Sequence, residues 1–422
     1  MRTILLAIFF GSCCIAQGQV TYLHCGRLIT ATDAEVRTAM TVLVENDRIV
    51  SIESGYLSPD GGGEVIDLKE HTVMPGLIDL HVHIESQSSR TRYLEVFTKN
   101  PADVALRATT YCQKTLEAGF TTVRDLGGSG VNVSLRNAIR AGHIDGPRII
   151  TAEKAIGTTG GHADPTNGYR SDLMGDPGPD DGVINGPADA YKAVRARYKK
   201  GADCIKITAT GGVLSVAKDG SGPQFSQEEV NAIVAAAKDY KMITAAHAHG
   251  VEGMRRAIIA GITTIEHGSL MDEPTMDLMI EKGTYFVPTL SAGDFVARQA
   301  KIPGYYPAII VPKALTIGSA LQATFGKAYQ RGVKIAFGTD SGVSFHGDNA
   351  HEFVLMVEAG MSPMEAILSA THTAAEVLRM DDQFGSIKPG LQADIIAVTG
   401  NPLEDIATMK QVDFVMKAGQ VY

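Results

Sequence analysis

Cysteine is scarce in this chain of 422 residues, and its scarcity excludes a fold held together by disulfides. Five are present, and two of them, Cys13 and Cys14, fall in an N-terminal leader. The other three, Cys25, Cys112 and Cys204, form an odd set without metal-finger spacing, so buried thiols acting as small hydrophobes are expected. Positive charge is also short: 38 Lys and Arg face 47 Asp and Glu, a net charge of −9. With no basic stripe, the composition argues against nucleic acid as a partner. Past the leader no segment offers about 18 uncharged apolar residues, so no membrane span is expected. A phosphate cradle is missing as well. Thr208 to Gly212 lacks the strand, glycine and lysine spacing of a P-loop, which disfavours phosphoryl transfer from a nucleotide.

The leader itself has a recognisable order. Arg2 precedes an apolar run from Ile4 to Phe10 and then small residues up to Gly18, the pattern of a signal peptide over residues 1–18. Cys13, after Gly11 and Ser12, offers a lipid-anchor alternative, although Phe10 fits such a box poorly. Either route sends the protein out of the cytoplasm, to a secreted or periplasmic location.

The rest of the chain divides by texture. From Thr21 to Thr72 apolar and polar residues alternate between turn residues, as in Thr41 to Val44, Arg48 to Ile52 and Glu64 to Asp67, which predicts short antiparallel strands. The same texture returns in Ala393 to Val398 and Val412 to Lys417, so the two ends are expected to build one small β-sandwich. Between them a helix, a glycine and a short apolar strand recur, with the glycine at Gly119, Gly201, Gly261 and Gly332. Glycine suits the left-handed cap that stops each helix before the next strand. Adding strands at Gly76 to His83, Arg148 to Thr151, Met242 to Ala246 and Tyr285 to Pro288 gives eight, the count of a (β/α)8 TIM barrel. The reading is therefore an α/β chain: a sandwich part at 19–74, a barrel at 75–378 and a second sandwich part at 379–422. Two breaker-rich stretches, Gly161 to Gly186 and Ser291 to Pro312, are expected to form rim or lid segments on the active-site side.

Metal-capable side chains sit at the predicted strand ends. They occur in Asp79 to His83, Cys204 to Ile207, Ala246 to His249, Ile265 to Gly268 and Phe337 to Asp340. In a parallel barrel the C-terminal strand ends converge on one rim, so ligands distant in sequence can meet there. His81 and His83 alternate by two and point to one face, and His247 and His249 do the same. Imidazole is the commonest side-chain ligand for zinc-like ions. A carboxylate such as Asp340 beside a metal can take a proton from water whose pKa the metal has lowered to about 7.

With these motifs in place the chain resembles the amidohydrolase superfamily, and within it the branch of Xaa-Pro dipeptidases (prolidase-like) and imidazolonepropionase-related proteins. It is similar also to ochratoxin-type amidases. The resemblance runs from about Thr21 to the C-terminus. It rests on PGLIDLHVH at Pro75 to His83, TGGH at Thr159 to His162 and IKITATGG at Ile205 to Gly212. AAHAHG at Ala245 to Gly250, TIEHG at Thr264 to Gly268 and FGTDSG at Phe337 to Gly342 complete it.

The resemblance implies two divalent metal ions, held by His81, His83, Lys206, His247, His267 and Asp340, with Lys206 carbamylated as the bridge. Zinc suits mixed imidazole, carboxylate and carbamate ligation, and manganese or cobalt can occupy the same site. Asp340 is expected to accept the proton from water. His162 is expected to bond the scissile carbonyl or the substrate carboxylate. The family's metal histidine is the first to follow the apolar strand, which selects His247 and leaves His249 as a substrate contact; the spacing alone leaves the two open. Ser86, Arg124 and Asp125 are expected to touch substrate or shape the pocket. His24, His71, His143, His346, His351 and His372 are read as surface or packing residues.

The expected reaction is release of the C-terminal residue of a dipeptide or N-acyl amino acid, with ring opening of an imidazolone or hydantoin as the alternative. A neutral or aromatic C-terminal residue is favoured, since no acidic cluster awaits a basic side chain. A homo-oligomer is expected from the habit of relatives.

Overall fold

A computed structural model describes residues 20–422 apart from 60, 61 and 217–219. The expected signal peptide and Cys13 lie outside the described residues. Strands β1 (Val20–Ile29), β2 (Val36–Glu45), β3 (Arg48–Ser54) and β4 (Glu64–Pro75) open the chain. Strands β14 (Ile395–Thr399), β15 (Val412–Lys417) and β16 (Gln420–Val421) close it. Together they form one sheet in the order β16-β15-β14-β4-β1-β2-β3, so both ends of the chain do build a single unit. The expected sandwich is one continuous seven-stranded sheet in its hydrogen bonding. Its apolar residues, among them Leu23, Val42, Val73, Ile395 and Phe414, share one cluster.

The intervening chain supplies β5 (Leu77–Val82), β6 (Phe120–Asp125), β7 (Arg148–Thr151), β8 (Gly157–Thr158), β9 (Val183–Ile184), β10 (Cys204–Thr208), β11 (Ile243–Ala248), β12 (Thr264–His267) and β13 (Tyr285–Val287). Two parallel sheets result, β5-β6-β7 and β10-β11-β12-β13. Asp203 N donates to Thr151 O at 2.7 Å and Ile156 N to Lys206 O at 2.8 Å, which ties β7 to β10. Phe286 N donates to Lys334 O at 2.8 Å, and His83 N donates to Ser341 O at 2.7 Å, so residues 334–341 join β13 back to β5. These bonds and bridges link eight segments in parallel sense. The eighth pairs through isolated bridges rather than a regular strand. Long helices lie between successive members, and all four glycines of the pattern are left-handed at the helix ends, Gly261 and Gly332 as the cap itself and Gly119 and Gly201 one residue beyond it.

Strand β4 runs into β5 through Gly76, where a Cβ would run into the side chain of Thr121, so the sheet and the ring are joined at close quarters. Cys25, Cys112 and Cys204 are buried and free, and burial pushes each thiol up to about 12. The pair β8 and β9 ties together the ends of the breaker-rich 161–186 stretch. The other such stretch is more regular than its composition suggests: helix Leu290–Gln299 occupies its first half. Gly293 sits inside that helix where helix Val311–Arg331 crosses it: a Cβ on Gly318 would meet Gly293 O at 2.8 Å, and one on Gly293 would meet the Leu321 side chain at 2.9 Å.

Candidate active site

The C-terminal ends of the ring strands open into a cavity of about 340 Å³. One side is polar and carries His81, His83, His162, Lys206, His247, His249, His267 and Asp340, all of them residues singled out from the sequence. The other side is apolar, built from Leu214, Val296, Ile317, Leu321 and Val343 with the two crossing glycines.

Three ligand atoms converge. His81, His267 and Asp340 each bring one to within 4.8 Å of the others. His83 Nε2 lies 3.2 Å from Asp340 Oδ1, and Lys206 Nζ lies 3.4 Å from His81 Nε2. The His247 ring packs 4.6 Å from that of His267, 4.5 Å from that of His249 and 4.4 Å from that of His162. Five of these histidines are anchored at one ring nitrogen, which leaves the other to face the cavity. His81 Nδ1 meets Glu266 Oε2 at 2.8 Å, His83 Nδ1 meets Gly127 O at 2.7 Å and His267 Nδ1 meets Thr289 Oγ1 at 2.7 Å. His249 Nδ1 meets Ser269 Oγ at 2.9 Å, whereas His247 is held at the opposite nitrogen, Nε2, by Gly211 O at 3.1 Å. Anchoring of this kind fixes ring orientation and tautomer.

Two residues reach the cavity by breaking the strand pattern. Ala248 pairs with His267 in register, so simple alternation would turn His267 away from the face shared by Thr208, His247 and Glu266. The backbone of His267 has φ 70° and that of Asp340 φ 58°, left-handed values that re-aim both side chains. Such conformations cost on the order of 1–3 kcal/mol each and persist where surrounding structure enforces them. For Asp340 the enforcement includes donation of its backbone N–H to His81 O at 2.7 Å.

Below the cavity lies a buried ionic layer. Arg124 and Glu266 are both fully buried and pair at 3.0 Å. Arg124 also donates to Leu80 O at 2.6 Å and to Thr264 Oγ1 at 3.2 Å. Burial works against ionisation of Glu266, yet Arg124 and His81 outweigh it and hold the carboxyl down at about 2. Replacing Glu266 with alanine strands a buried guanidinium, and loss of one partner from such a pair costs about 3–5 kcal/mol. We expect urea unfolding to show that loss for Glu266→Ala, and metal affinity to fall about 10–100-fold as His81 loses its anchor. Combining Glu266→Gln with Arg124→Met is expected to cost less than the sum of the single changes, the signature of direct coupling.

Burial also sets the protonation of the cavity. Desolvation, reinforced by Lys206 and opposed by Asp340 and Glu266, pulls His81 down to about 4. Desolvation takes His162 to about 3 and His249 to about 4, and puts His247 and His267 well below the ordinary value. For His83 burial acts downward too, but the Asp340 carboxylate reverses the sign and its pKa is raised. Burial brings Lys206 down to about 8. The imidazoles held neutral by burial, a lysine with an accessible free-base form and an ionised aspartate make a donor set suited to a divalent cation, with His83 the exception among the rings.

Among the described residues, four cavity-lining side chains hold a buried polar atom without a hydrogen-bond partner: Asp340 Oδ1, His162 Nδ1, Thr208 Oγ1 and Arg92 Nη1. Asp340 Oδ1 lies close to two imidazoles but without hydrogen-bond alignment. Unpartnered buried groups are rare and call for an explanation, and a ligand is the direct one.

Ser86 lines the cavity, and its carbonyl accepts from buried His346 at 2.8 Å. His346 stacks on Tyr111, a packing role as expected. Arg124 belongs to the layer below and does not line the cavity, so of the two expected roles it is placed for shaping the pocket from beneath. Asp125 shapes the rim instead, accepting from Ile84 N at 2.8 Å and Asn132 Nδ2 at 2.7 Å. Glu266, Thr208, Thr289 and Arg92 escaped the sequence reading. Glu266 was the most accessible of them, since a carboxylate in the middle of the apolar Ile262 to His267 strand has to be paired when buried.

A parallel ring with histidines and an aspartate gathered at its strand ends defines an amidohydrolase-type enzyme, a class that generally uses divalent metals. The chain belongs to the amidohydrolase family, whose model matches residues 72–422. It is 52% identical to a Xaa-Pro dipeptidase whose crystal structure has methionine bound in the active site, with a TM-score of 0.93 over 96% of this chain and 100% of that one. A prolidase complexed with N-methylphosphonate-L-proline is 33% identical, with a TM-score of 0.87 over 96% and 99% of the two chains. An ochratoxinase from Aspergillus niger is 33% identical over 435 residues, spanning 96% of this chain and 87% of that protein. The chain is thus a hydrolytic enzyme acting on C–N bonds.

Proposed function

We propose that this protein is a binuclear metal-dependent amide hydrolase that releases the C-terminal amino acid from a dipeptide or an N-acyl amino acid. The carrying observation is the convergence of His81, His267 and Asp340, with Asp340 Oδ1 buried and unpartnered. Asp340 Oδ1 and the ring nitrogens of His81 and His267 opposite their anchored ones would hold a divalent cation there. His83, Lys206 and His247 extend the set to two divalent ions, with zinc the best match to the donors. In the free-base form, favoured by burial, Lys206 would add carbon dioxide and lose a proton to solvent, and the resulting carbamate would offer two anionic oxygens to the metal site.

Bound metals supply a more acidic water and a polarised carbonyl. The chain's own residues do the rest. Asp340, held ionised by His81 and His83 against the pull of burial, accepts the proton of the attacking water and returns it to the leaving amine. His162, neutral and with an unpartnered ring nitrogen, offers a hydrogen bond to the scissile carbonyl. Gly212 lies directly under that ring, where a Cβ would collide with it, and so fixes how deep the imidazole sits. His249 and Ser86 contact substrate from the same cavity. The apolar wall of Val296, Ile317 and Leu321 receives a neutral side chain. The methionine and proline ligands of the two structural relatives support that preference. Export through residues 1–18 places the enzyme among extracellular or periplasmic peptides.

The test is a substrate panel on metal-loaded enzyme: Xaa-Pro, Xaa-Met, Xaa-Phe and Xaa-Arg dipeptides, N-acyl amino acids including ochratoxin A, and hydantoins. Release of a neutral C-terminal amino acid is the expected result. Ring opening alone would replace this reading with a cyclic amidase.

A further inference from the structure

We infer that Arg92 is the residue that receives the free carboxylate of the substrate's C-terminal amino acid, and so makes the enzyme an exopeptidase rather than a general amidase. The inference rests on the function proposed above and adds the group that selects the substrate class. Arg92 and Lys206 are the cations that line the cavity among the described residues. Lys206 is packed against His81 at the metal-binding side. Arg92 enters from the rim, on helix Arg92–Thr98, with Nη1 buried and without a hydrogen-bond partner. Arg92 is half-buried, its guanidinium carbon 5.7 Å from the Tyr93 ring centroid, and a guanidinium N–H withdrawn from water with no acceptor is costly unless an anion arrives to use it. Its planar fork matches a carboxylate through two parallel hydrogen bonds.

The surroundings hold that fork in place rather than consume it. Tyr93, the next residue, donates its hydroxyl to Leu214 O at 3.0 Å, which ties the helix to the loop forming part of the apolar wall. Glu95, the nearest carboxylate on the same helix, is engaged by Arg107 at 2.7 Å. Leu214 and Val296 line the same cavity, so an amino acid with an apolar side chain finds a cation for its carboxylate and a hydrocarbon surface for its side chain. A substrate without the carboxylate leaves the guanidinium unpaired, the condition under which a buried polar site discriminates most strongly.

The experiment compares wild type with Arg92→Met, which keeps an unbranched apolar stem and removes the charge. kcat/KM is measured on an N-acyl-methionine and on its C-terminal amide, and binding of free methionine and of methioninamide to the metal-loaded enzymes is measured by calorimetry. We expect Arg92→Met to lose about 100-fold on the acid, mostly in KM, with a much smaller loss on the amide, so that the preference collapses. Methionine binding should weaken in parallel, and Arg92→Lys should recover part of it. Equal losses on acid and amide with weakened folding, or an acid preference that survives in Arg92→Met, would overturn the assignment. If wild type releases no C-terminal amino acid, the functional reading fails; the methionine and methioninamide affinities still decide the role of Arg92.

Discussion

Asp340→Asn is expected to lower kcat by about a thousandfold or more while the protein stays folded. Asparagine matches aspartate in shape and tolerates the left-handed backbone at φ 58°, so the donation from the residue 340 backbone to His81 O survives. What disappears is the charge that accepts a proton and the anionic oxygen that faces His81 and His83. General base catalysis contributes about 10²–10⁴-fold, and weakened metal ligation adds to the loss. Steady-state kinetics with thermal unfolding and metal analysis on the same preparation check this. A folded variant with near wild-type kcat would remove Asp340 from the chemistry.

Lys206→Met is expected to change activity and stability in opposite directions. The buried amine has its pKa lowered from 10.5 to about 8, chiefly by desolvation. Below pH 8 the metal-free protein therefore carries a protonated lysine in a setting that disfavours it. That cost is constant below pH 8 and fades as pH rises from 8 towards 10.5, where the folded lysine is neutral and the unfolded one still charged. Removing the amine should stabilise the metal-free protein at neutral pH by roughly 1–3 kcal/mol. Activity should fall about 10²–10³-fold, with less metal retained, because the bridging anion has no source. Chelated samples in urea give the first quantity and kinetics with metal analysis give the second. An active variant with full metal content would exclude a carbamate bridge.

Much of this architecture was legible because it depends on periodicity. Helix, glycine and strand recur at a regular spacing, and Gly261 and Gly332 stand where a left-handed cap is needed. His81, His83, Lys206, His247, His267 and Asp340 were readable because strand ends in a parallel ring converge. The eighth ring member was harder to see as it is: residues 334–341 pair through isolated bridges, and the turn at Asp340 interrupts any regular strand. Helix Leu290–Gln299 was hidden by Gly293, whose lack of a side chain serves a helix crossing and not a loop. Arg124 looked like a rim residue from its position after an apolar strand. Its partner Glu266 lies 142 residues further along the chain, and only the ring brings them together beneath the cavity. Arg92 gave no local signal either, since an arginine at the start of a short exposed helix ordinarily faces water.

The most direct test is a zinc titration of chelated enzyme in which amide hydrolysis and bound metal are followed together, with a dipeptide ending in a neutral residue as substrate. Release of the free C-terminal amino acid should appear only with metal and should reach its plateau at about two ions per chain. Hydrolysis without metal, full activity at a single ion, or no amide cleavage at any loading would contradict a binuclear amide hydrolase.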